Sequence, residues 1–82
     1  MSTEEISELV LGVLSEIAPE IDVSRVDPGM SFRDQFDIDS VDFLNFVLSL
    51  EKRLEHPIPE VDYPKLSSLN GCIAYLAAQA QA

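Results

Sequence analysis

Prolines divide this 82-residue chain into segments whose apolar residues recur at the spacing of an α-helix. Pro19 ends the first segment, because the residue before a proline is pushed out of the helical region. The two prolines in the run 56–59 end the second segment, and Pro64 leaves room for only a short turn at 61–66. The chain is therefore predicted to be all-α, with three longer helices and a short one before the last.

The first helix is predicted from about Thr3 to Ala18. Ser2 and Glu5 form a capping box in front of it, in which each side chain accepts a hydrogen bond from the other residue's backbone. The apolar residues of this segment form one stripe at helical spacing, namely Ile6, Leu9, Val10, Val13, Leu14 and Ile17. This stripe is expected to face a core.

The last helix is expected to begin after Ser67 or Ser68, since either serine can cap it. Cys72 lies on its apolar side, where a buried and inert thiol is the usual outcome. The alanine-rich end, 77–82, is expected to fray. The residues of the apolar side are Leu69, Cys72, Ile73 and Leu76.

The segment 20–39 has the composition of a long loop, rich in Asp, Ser, Pro and Gly. Scattered apolar residues are expected to anchor it: Ile21, Val23, Val26, Met30, Phe32 and Phe36. A structureless loop of this length in a compact domain usually has a function. Presenting the serine that follows it would be such a function.

Ser40 lies where this loop meets the second helix, which is predicted over 40–54. Asp39 has an N-cap side chain, and Asp42 stands three residues later as in a capping box. The Ser40 hydroxyl would then open the first turn and point outward, where free N–H groups and the helix dipole favour a bound phosphate. Asp37 and its acidic neighbours oppose a phosphate unless metal ions or a basic partner screen them. A serine that only caps the helix is the alternative interpretation.

The second helix has two apolar faces when its residues are projected at the helical repeat. Phe43, Phe46, Val47, Leu50 and Leu54 form one face. The other face consists of Val41, Leu44 and Leu48, flanked by Asn45 and Lys52 on one side and by Glu51 and Glu55 on the other. Because only one face can pack on the other helices, the second is predicted to dock a partner protein. Burial of the second face beneath the loop is the alternative.

The charge of the chain restricts its partners. Five basic and fifteen acidic residues give a net charge of −10, which repels nucleic acid and anionic membranes and favours proteins with basic patches.

The length and a 46% hydrophobic content allow one small domain over 1–82. A single cysteine suits a reducing compartment, and neither a membrane-spanning run nor a basic leader is present. We expect a cytoplasmic monomer with no membrane insertion.

Other chemistries lack the residues that they require. An EF-hand loop beginning at Asp37 would need Gly at its sixth position and Glu at its twelfth, where the chain has Asp42 and Leu48. His56 has no second histidine, so neither a zinc site nor a Ser-His-Asp triad can be assembled around it. No metal site and no catalytic residue is predicted.

The surroundings of Ser40 resemble the modification site of the acyl carrier protein family. The resemblance covers nearly the whole chain and rests on Asp39-Ser40-Val41-Asp42, Asp27-Pro28, Ser31-Phe32, Phe36, Leu44, Val47, Leu50, Glu51, Ile58-Pro59, Ile73, Tyr75 and Leu76. It implies an antiparallel four-helix bundle with a short third helix and a long loop between helices one and two. Asp37 and Val41 stand where the family usually has Gly and Leu, which suggests a specialised member.

The resemblance also implies a function. The serine of this family carries 4′-phosphopantetheine, attached from coenzyme A by a phosphopantetheinyl transferase, and its thiol holds acyl groups as thioesters. Ser40 would be that serine, in a non-catalytic carrier that serves fatty acid, lipid or polyketide enzymes with basic patches. The partner-binding residues would be Asp39, Val41, Asp42, Leu44, Leu48 and Glu51. Asn45 and Lys52 occupy positions where acids are common, so the choice of partner is expected to differ.

An acyl chain could withdraw into the bundle if the core opens. The residues expected to receive it are Phe32, Phe43, Phe46, Leu50, Leu66 and Ile73. Phe43 is close to Ser40 and would narrow the entrance, which favours short cargo. Two alternatives remain open, namely a peptidyl or aminoacyl carrier and an unmodified helical adaptor that binds a partner through the second helix.

Overall fold

The computed structural model describes residues 2–80, whose regular elements are all helices, with no strand among them. The elements in chain order are α1 (Thr3–Ile17), the 3-10 turn η1 (Val23–Arg25), α2 (Phe32–Gln35), α3 (Ser40–Leu54), the 3-10 helix η2 (Glu60–Leu66) and α4 (Leu69–Ala80). Helix α1 packs against both α3 and α4, and η2 packs against α4. This is the predicted all-α helical bundle, with η2 as its short third helix.

Helix α1 begins and ends near the predicted residues. The Ser2 side chain accepts the N–H of Glu5 at 3.1 Å, and Glu5 Oε1 accepts the N–H of Ser2 at 2.9 Å, so the capping box is complete. The helix ends at Ile17, and Ala18 donates its N–H to the Leu14 carbonyl from a non-helical conformation. The apolar stripe is confirmed as the core side of α1, since Ile6, Val10, Val13 and Leu14 are buried.

The long loop contains two short helical turns that the sequence did not predict. The carboxylate of Asp22 accepts the N–H of Ser24 at 3.1 Å and opens η1, while the hydroxyl of Ser31 accepts the N–H of Asp34 at 3.1 Å and opens α2. The same Asp and Ser residues that predicted a loop therefore cap short helices within it.

The apolar residues that anchor the loop differ from the predicted set at Met30 and Ile38. Met30 is 43% exposed and anchors nothing, because it sits in a turn in which its N–H bonds to the Asp27 carbonyl. Ile38, which is not among the predicted anchors, is only 7% exposed and joins the core. Phe32 is fully buried as expected, with its ring edge-on to Phe46 at a centroid distance of 5.5 Å.

Hydrogen bonds fix the loop internally and to the start of α4. The Gln35 side chain accepts the N–H of Asp27 and donates to the carbonyls of Asp27 and Met30, each at 2.9 Å. The N–H of Phe32 bonds to the Ser67 carbonyl at 2.8 Å, and the N–H of Asn70 bonds to the Pro28 carbonyl at 3.0 Å. The segment that leads to Ser40 is thus held by contacts far along the chain.

Helix α4 begins as predicted, because the Ser68 hydroxyl accepts the N–H of Gly71 at 3.0 Å. The helix continues through Ala80. Ala77 packs against the core, and the side chain of Gln79 hydrogen-bonds to His56 at 3.0 Å, so tertiary contacts hold this turn. Gln81 and Ala82 lie outside the described residues.

A cluster of polar side chains fastens η2 to α4. The Tyr75 hydroxyl donates to Asp62 at 2.8 Å, and Lys65 pairs with the same carboxylate at 3.2 Å. These two partners lower the pKa of Asp62, while loss of hydration and the bond to Asp62 raise the pKa of Tyr75 to about 12. Tyr75 therefore stays protonated and able to donate this bond at neutral pH.

Substitutions at Gly71 and Gly12 provide a matched test of how closely η2 packs on α4. A Cβ atom on Gly71 would lie 2.3 Å from the Lys65 carbonyl oxygen in η2, whereas a Cβ on Gly12 would meet nothing within 4 Å. We expect Gly71→Ala to destabilise the fold by about 1–3 kcal/mol through overpacking. Gly12→Ala, in an exposed helix interior, should stabilise it by about 1 kcal/mol. Urea denaturation measures both changes, and a stabilising Gly71→Ala would contradict the close packing of η2 on α4.

Candidate functional site

Asp39 and Ser40 form the start of α3. Asp39 has an extended backbone, and its Oδ1 accepts the N–H of Asp42 at 2.8 Å, which makes it the N-cap. The predicted capping box is only half formed, because within residues 2–80 no return bond joins the Asp42 carboxylate to the Asp39 N–H. An aspartate is one methylene shorter than the glutamate of the usual capping box, and this accounts for the missing bond.

Ser40 is the first residue of α3 and is exposed to solvent. The interpretation of Ser40 as a capping serine is wrong, because Asp39 performs that function. In the described part of the chain, the Ser40 hydroxyl has no hydrogen-bonded partner. It stands beside the first-turn N–H groups, which lack partners within the helix and favour a negatively charged group. A hydroxyl in this position is free to be modified.

Acidic side chains surround this hydroxyl. Asp37 and Asp39 are exposed and Asp42 is half-buried, and the ion pairs found among residues 2–80 involve other acids. Asp37 does not need glycine-like backbone freedom, because Glu55 is the non-glycine residue with positive φ in the described chain. The acids therefore form an unpaired negative surface that a basic protein surface complements.

The second apolar face of α3 is exposed, as predicted. Val41 is 64% exposed, Leu44 43% and Leu48 46%, so the alternative of burial beneath the loop is wrong. We call these three residues the docking face. On the opposite side of α3, the predicted core residues Phe46, Val47 and Leu50 are buried, while Phe43 and Leu54 are half-buried against the core.

Glu51 has a structural contact that the sequence did not predict. Its Oε1 accepts the N–H of Ile58 at 3.2 Å, and its side chain is half-buried. The bond holds the linker after α3, where Glu55 adopts a left-handed conformation with φ of 52° and ends the helix. One carboxylate oxygen of this predicted partner-binding residue is thus already engaged within the chain.

The residues of the predicted acyl pocket lie in or against one core, which is closed. Phe32, Phe46, Leu50 and Leu66 are each less than 2% exposed. Phe43 and Ile73 are half-buried at the edge of the core, and the Phe43 ring lies 6.2 Å from that of Phe46. Of the six, Ile73 lines a shallow surface cavity of about 470 Å³ between α1 and α4. Any acyl chain would have to displace core contacts to enter.

His56 and Cys72 lie where the sequence predicts them. His56 is exposed in the linker after α3. Cys72 is fully buried, its thiol donates to the Leu66 carbonyl at 3.3 Å, and burial raises its pKa to about 12. A thiol that stays protonated and shielded is chemically inert at neutral pH.

Comparison with known proteins identifies the family. The profile of the family described as the phosphopantetheine attachment site matches residues 5–76. An acyl carrier protein of Lactobacillus johnsonii is 30% identical over 76 residues, which is 93% of this chain and 94% of that protein. The chain belongs to the acyl carrier protein family.

Two further comparisons give a similar protein and a similar fold. The mitochondrial acyl carrier protein 2 of Arabidopsis thaliana is 27% identical over all 82 residues, and the chain spans 64% of the length of that relative. A solved structure of acyl carrier protein from Enterococcus faecalis superposes with a TM-score of 0.77 at 24% identity, covering 95% of this chain and 98% of the other. That structure confirms the fold.

Membership of the family confirms several predictions from the sequence. The protein is an acyl carrier protein, and the cofactor of its family is 4′-phosphopantetheine. Members of the family are non-catalytic carriers that interact with biosynthetic enzymes. Within residues 2–80, none of the helices has the length and apolar content needed to cross a membrane.

Proposed function

We propose that Ser40 is the residue to which 4′-phosphopantetheine is attached, and that the chain delivers acyl groups to fatty acid, lipid or polyketide biosynthetic enzymes. The observation that carries the proposal is the exposed Ser40 hydroxyl at the first position of α3, with the capping position occupied by Asp39. The phosphodiester would lie at a helix N-terminus, which favours negative charge. The residues present at this site therefore fit the group.

Attachment would be catalysed by a second protein, the phosphopantetheinyl transferase, with Ser40 of this chain as the nucleophile. Ser40 Oγ forms a bond to the phosphorus on the pantetheine side of coenzyme A, while the pyrophosphate bond at that phosphorus breaks. Adenosine 3′,5′-bisphosphate leaves, and the hydroxyl proton passes to a base on the phosphopantetheinyl transferase. Asp39 and Asp42 would meet basic residues of that enzyme, which screen the acids during transfer.

Once attached, the group supplies a terminal thiol that holds acyl chains as thioesters. Because the tether is covalent, docking of the chain raises the local concentration of cargo at a partner's active site. The docking face and the acids at its N-terminal end are suited to brief contacts with basic enzymes, and such contacts weaken with salt. A monomer in the cytoplasm, acting as one domain over 1–82, suits a shuttle of this kind.

Mass spectrometry tests the proposal directly. The protein is incubated with coenzyme A, magnesium and a broad-specificity phosphopantetheinyl transferase, and its intact mass is measured. We expect a gain of one phosphopantetheinyl group, located on Ser40 by fragmentation of the peptide that contains α3. A folded protein that gains no mass would instead favour the adaptor function, in which the docking face binds a partner without modification.

Phe43 is proposed to restrict entry of a long acyl chain. It is half-buried one turn after Ser40, and its ring stands at the edge of the closed core. We expect Phe43→Ala to let a long chain withdraw from water, so that its thioester hydrolyses several times more slowly than in the unchanged protein. Hydrolysis is followed by loss of acyl mass with time.

Leu54→Ala is the control for this measurement. Leu54 is also half-buried on the core side of α3, but it lies at the end of the helix far from Ser40. Its replacement should leave the rate of hydrolysis unchanged. Equal rates for Phe43→Ala and the unchanged protein would argue against Phe43 as a gate.

A further inference from the structure

The connection between α3 and α4 is held firmly at both of its ends. Ile58 is buried near its beginning, and the N–H of Ile58 bonds to the Glu51 carboxylate at 3.2 Å. Leu66 is fully buried near its end, and its carbonyl accepts the thiol of Cys72 at 3.3 Å. We call the residues between these two ends, 59–65, the strap.

The strap itself buries little apolar surface. Asp62 and Tyr63 are half-buried and its other residues are exposed, with Val61 82% exposed. Most of the strap is the 3-10 helix η2, whose hydrogen bonds have poorer geometry than those of an α-helix. Pro59 precedes this helix and gives it no side-chain cap. Apart from Tyr63, apolar burial therefore does not hold the strap in place.

A hydrogen bond joins the middle of the strap to α4. The hydroxyl of Tyr75, which is 8% exposed, donates to Asp62 Oδ2 at 2.8 Å. This hydroxyl and Lys65 lower the pKa of Asp62, so the acceptor is an ionised carboxylate at neutral pH. Hydrogen bonds to an ionised group are roughly twice as strong as neutral ones. Among residues 2–80, no other side-chain hydrogen bond connects the strap to another helix.

We infer that the bond between Tyr75 and Asp62 is a latch, and that its release opens the strap from α4 while the bundle stays folded. Helix α1 packs directly against α3 and α4, so these three helices do not need the strap to stay together. Segments with few buried apolar contacts open locally at a lower free energy than the whole protein. The protein therefore has a latched form and an open form.

Release of the latch would uncover a surface of α4. Tyr75 lies beneath the strap, and the ammonium group of Lys65 stands 5.9 Å from the centre of its ring. Between the strap and α4 is a shallow cavity of about 460 Å³, lined by Lys65, Gly71, Ala74, Tyr75 and Ala78. The open form therefore exposes an aromatic ring that the latched form shields.

Amide hydrogen exchange, followed by NMR, tests the latch in the unmodified chain, so its outcome is independent of attachment at Ser40. The variant is Tyr75→Phe, which removes only the hydroxyl that makes the bond. Tyr63→Phe is the matched control, because it removes the same group from the strap. Within the described chain, the Tyr63 hydroxyl has no hydrogen-bonded partner.

The amides of the strap should exchange faster than those of α1 and α3 in the unchanged protein. Asp62 is one of them, and its N–H bonds to the Pro59 carbonyl at 2.9 Å. Their rates should respond weakly to low concentrations of urea, because a local opening exposes little surface. Tyr75→Phe should speed their exchange about tenfold, the effect of losing a partly exposed hydrogen bond to a charged group. Tyr63→Phe should change it by less than about twofold.

A double-mutant cycle assigns the effect to the bond itself. Asp62→Ala should speed exchange of the strap at least as much as Tyr75→Phe does. Adding Tyr75→Phe to Asp62→Ala should then change the rates by less than about twofold, because the bond is already absent. Effects of the two substitutions that simply multiply would show that Tyr75 does not act through Asp62, and the latch would be rejected.

Two other results would overturn the inference. Strap amides that exchange with the same free energy and urea dependence as those of α1 would mean that the strap opens only when the whole bundle unfolds. Strap rates unchanged by Tyr75→Phe would mean that the bond does not hold the strap. In that case urea denaturation could still show a less stable fold, so a loss of global stability alone does not support the latch.

Discussion

Ser40→Ala is expected to abolish phosphopantetheine attachment completely while leaving the fold intact. The variant removes the oxygen that forms the phosphodiester, so no residual attachment should be found by intact mass. Helix α3 should still form, because Asp39 provides its cap and alanine is the best helix former. Circular dichroism and urea denaturation should show a change in the free energy of unfolding within about 0.5 kcal/mol.

Ser49→Ala is the control for the loss of attachment. Ser49 lies in the same helix and is half-buried, on the side away from the docking face. This variant should be modified as fully as the unchanged protein. Attachment to Ser40→Ala at any site would contradict the assignment of Ser40, and it would direct attention to the other exposed serines of the chain.

Phe46→Ala is expected to cause the largest loss of stability of any single change proposed for this protein. Phe46 is 1% exposed and touches the rings of both Phe32 and Phe43, so it joins α3 to the long loop at the centre of the core. Removing a buried phenylalanine ring costs about 3–5 kcal/mol. A domain of this size has a total stability of about 4–12 kcal/mol, so a large part of it would be lost.

Urea denaturation of Phe46→Ala and Leu44→Ala provides the measurement and its control. Leu44 is in the same helix but 43% exposed on the docking face, and its replacement should cost about 0.5 kcal/mol or less. A loss below about 1 kcal/mol for Phe46→Ala would mean that the core collapses around the missing ring, contrary to the dense packing expected of protein interiors.

The helix that bears Ser40 was predicted from local signals, and those signals were sufficient. The cap at Asp39 and the proline-rich run 56–59 set bounds of 40–54, and α3 spans Ser40–Leu54. Projection at the helical repeat separated a core side from the docking face, and the exposure of Val41 and Leu48 confirms the separation. Such features depend on residues within a few positions of one another, which a sequence displays directly.

Contacts between distant residues could not be predicted in this way. Gln35 bonds to Asp27 across the loop, and Glu51 bonds to the linker at Ile58. Both side chains are ordinary polar residues in the sequence, and their partners are set by how the chain turns between them. The turns η1 and α2 were missed for a related reason, since caps at Asp22 and Ser31 are equally compatible with a loop.

The three hydrogen bonds of the Gln35 side chain make the segment before α3 rigid, and this rigidity affects how a carrier delivers its cargo. They close the loop on itself just before α3, and the bond between Phe32 and Ser67 fastens it to the connection between η2 and α4. Ser40 thus follows a segment whose backbone is held in place by hydrogen bonds. If Ser40 carries the arm as proposed, the cargo would reach its target through the flexibility of the arm, and the orientation in which a partner binds the chain would set the volume that the cargo can search.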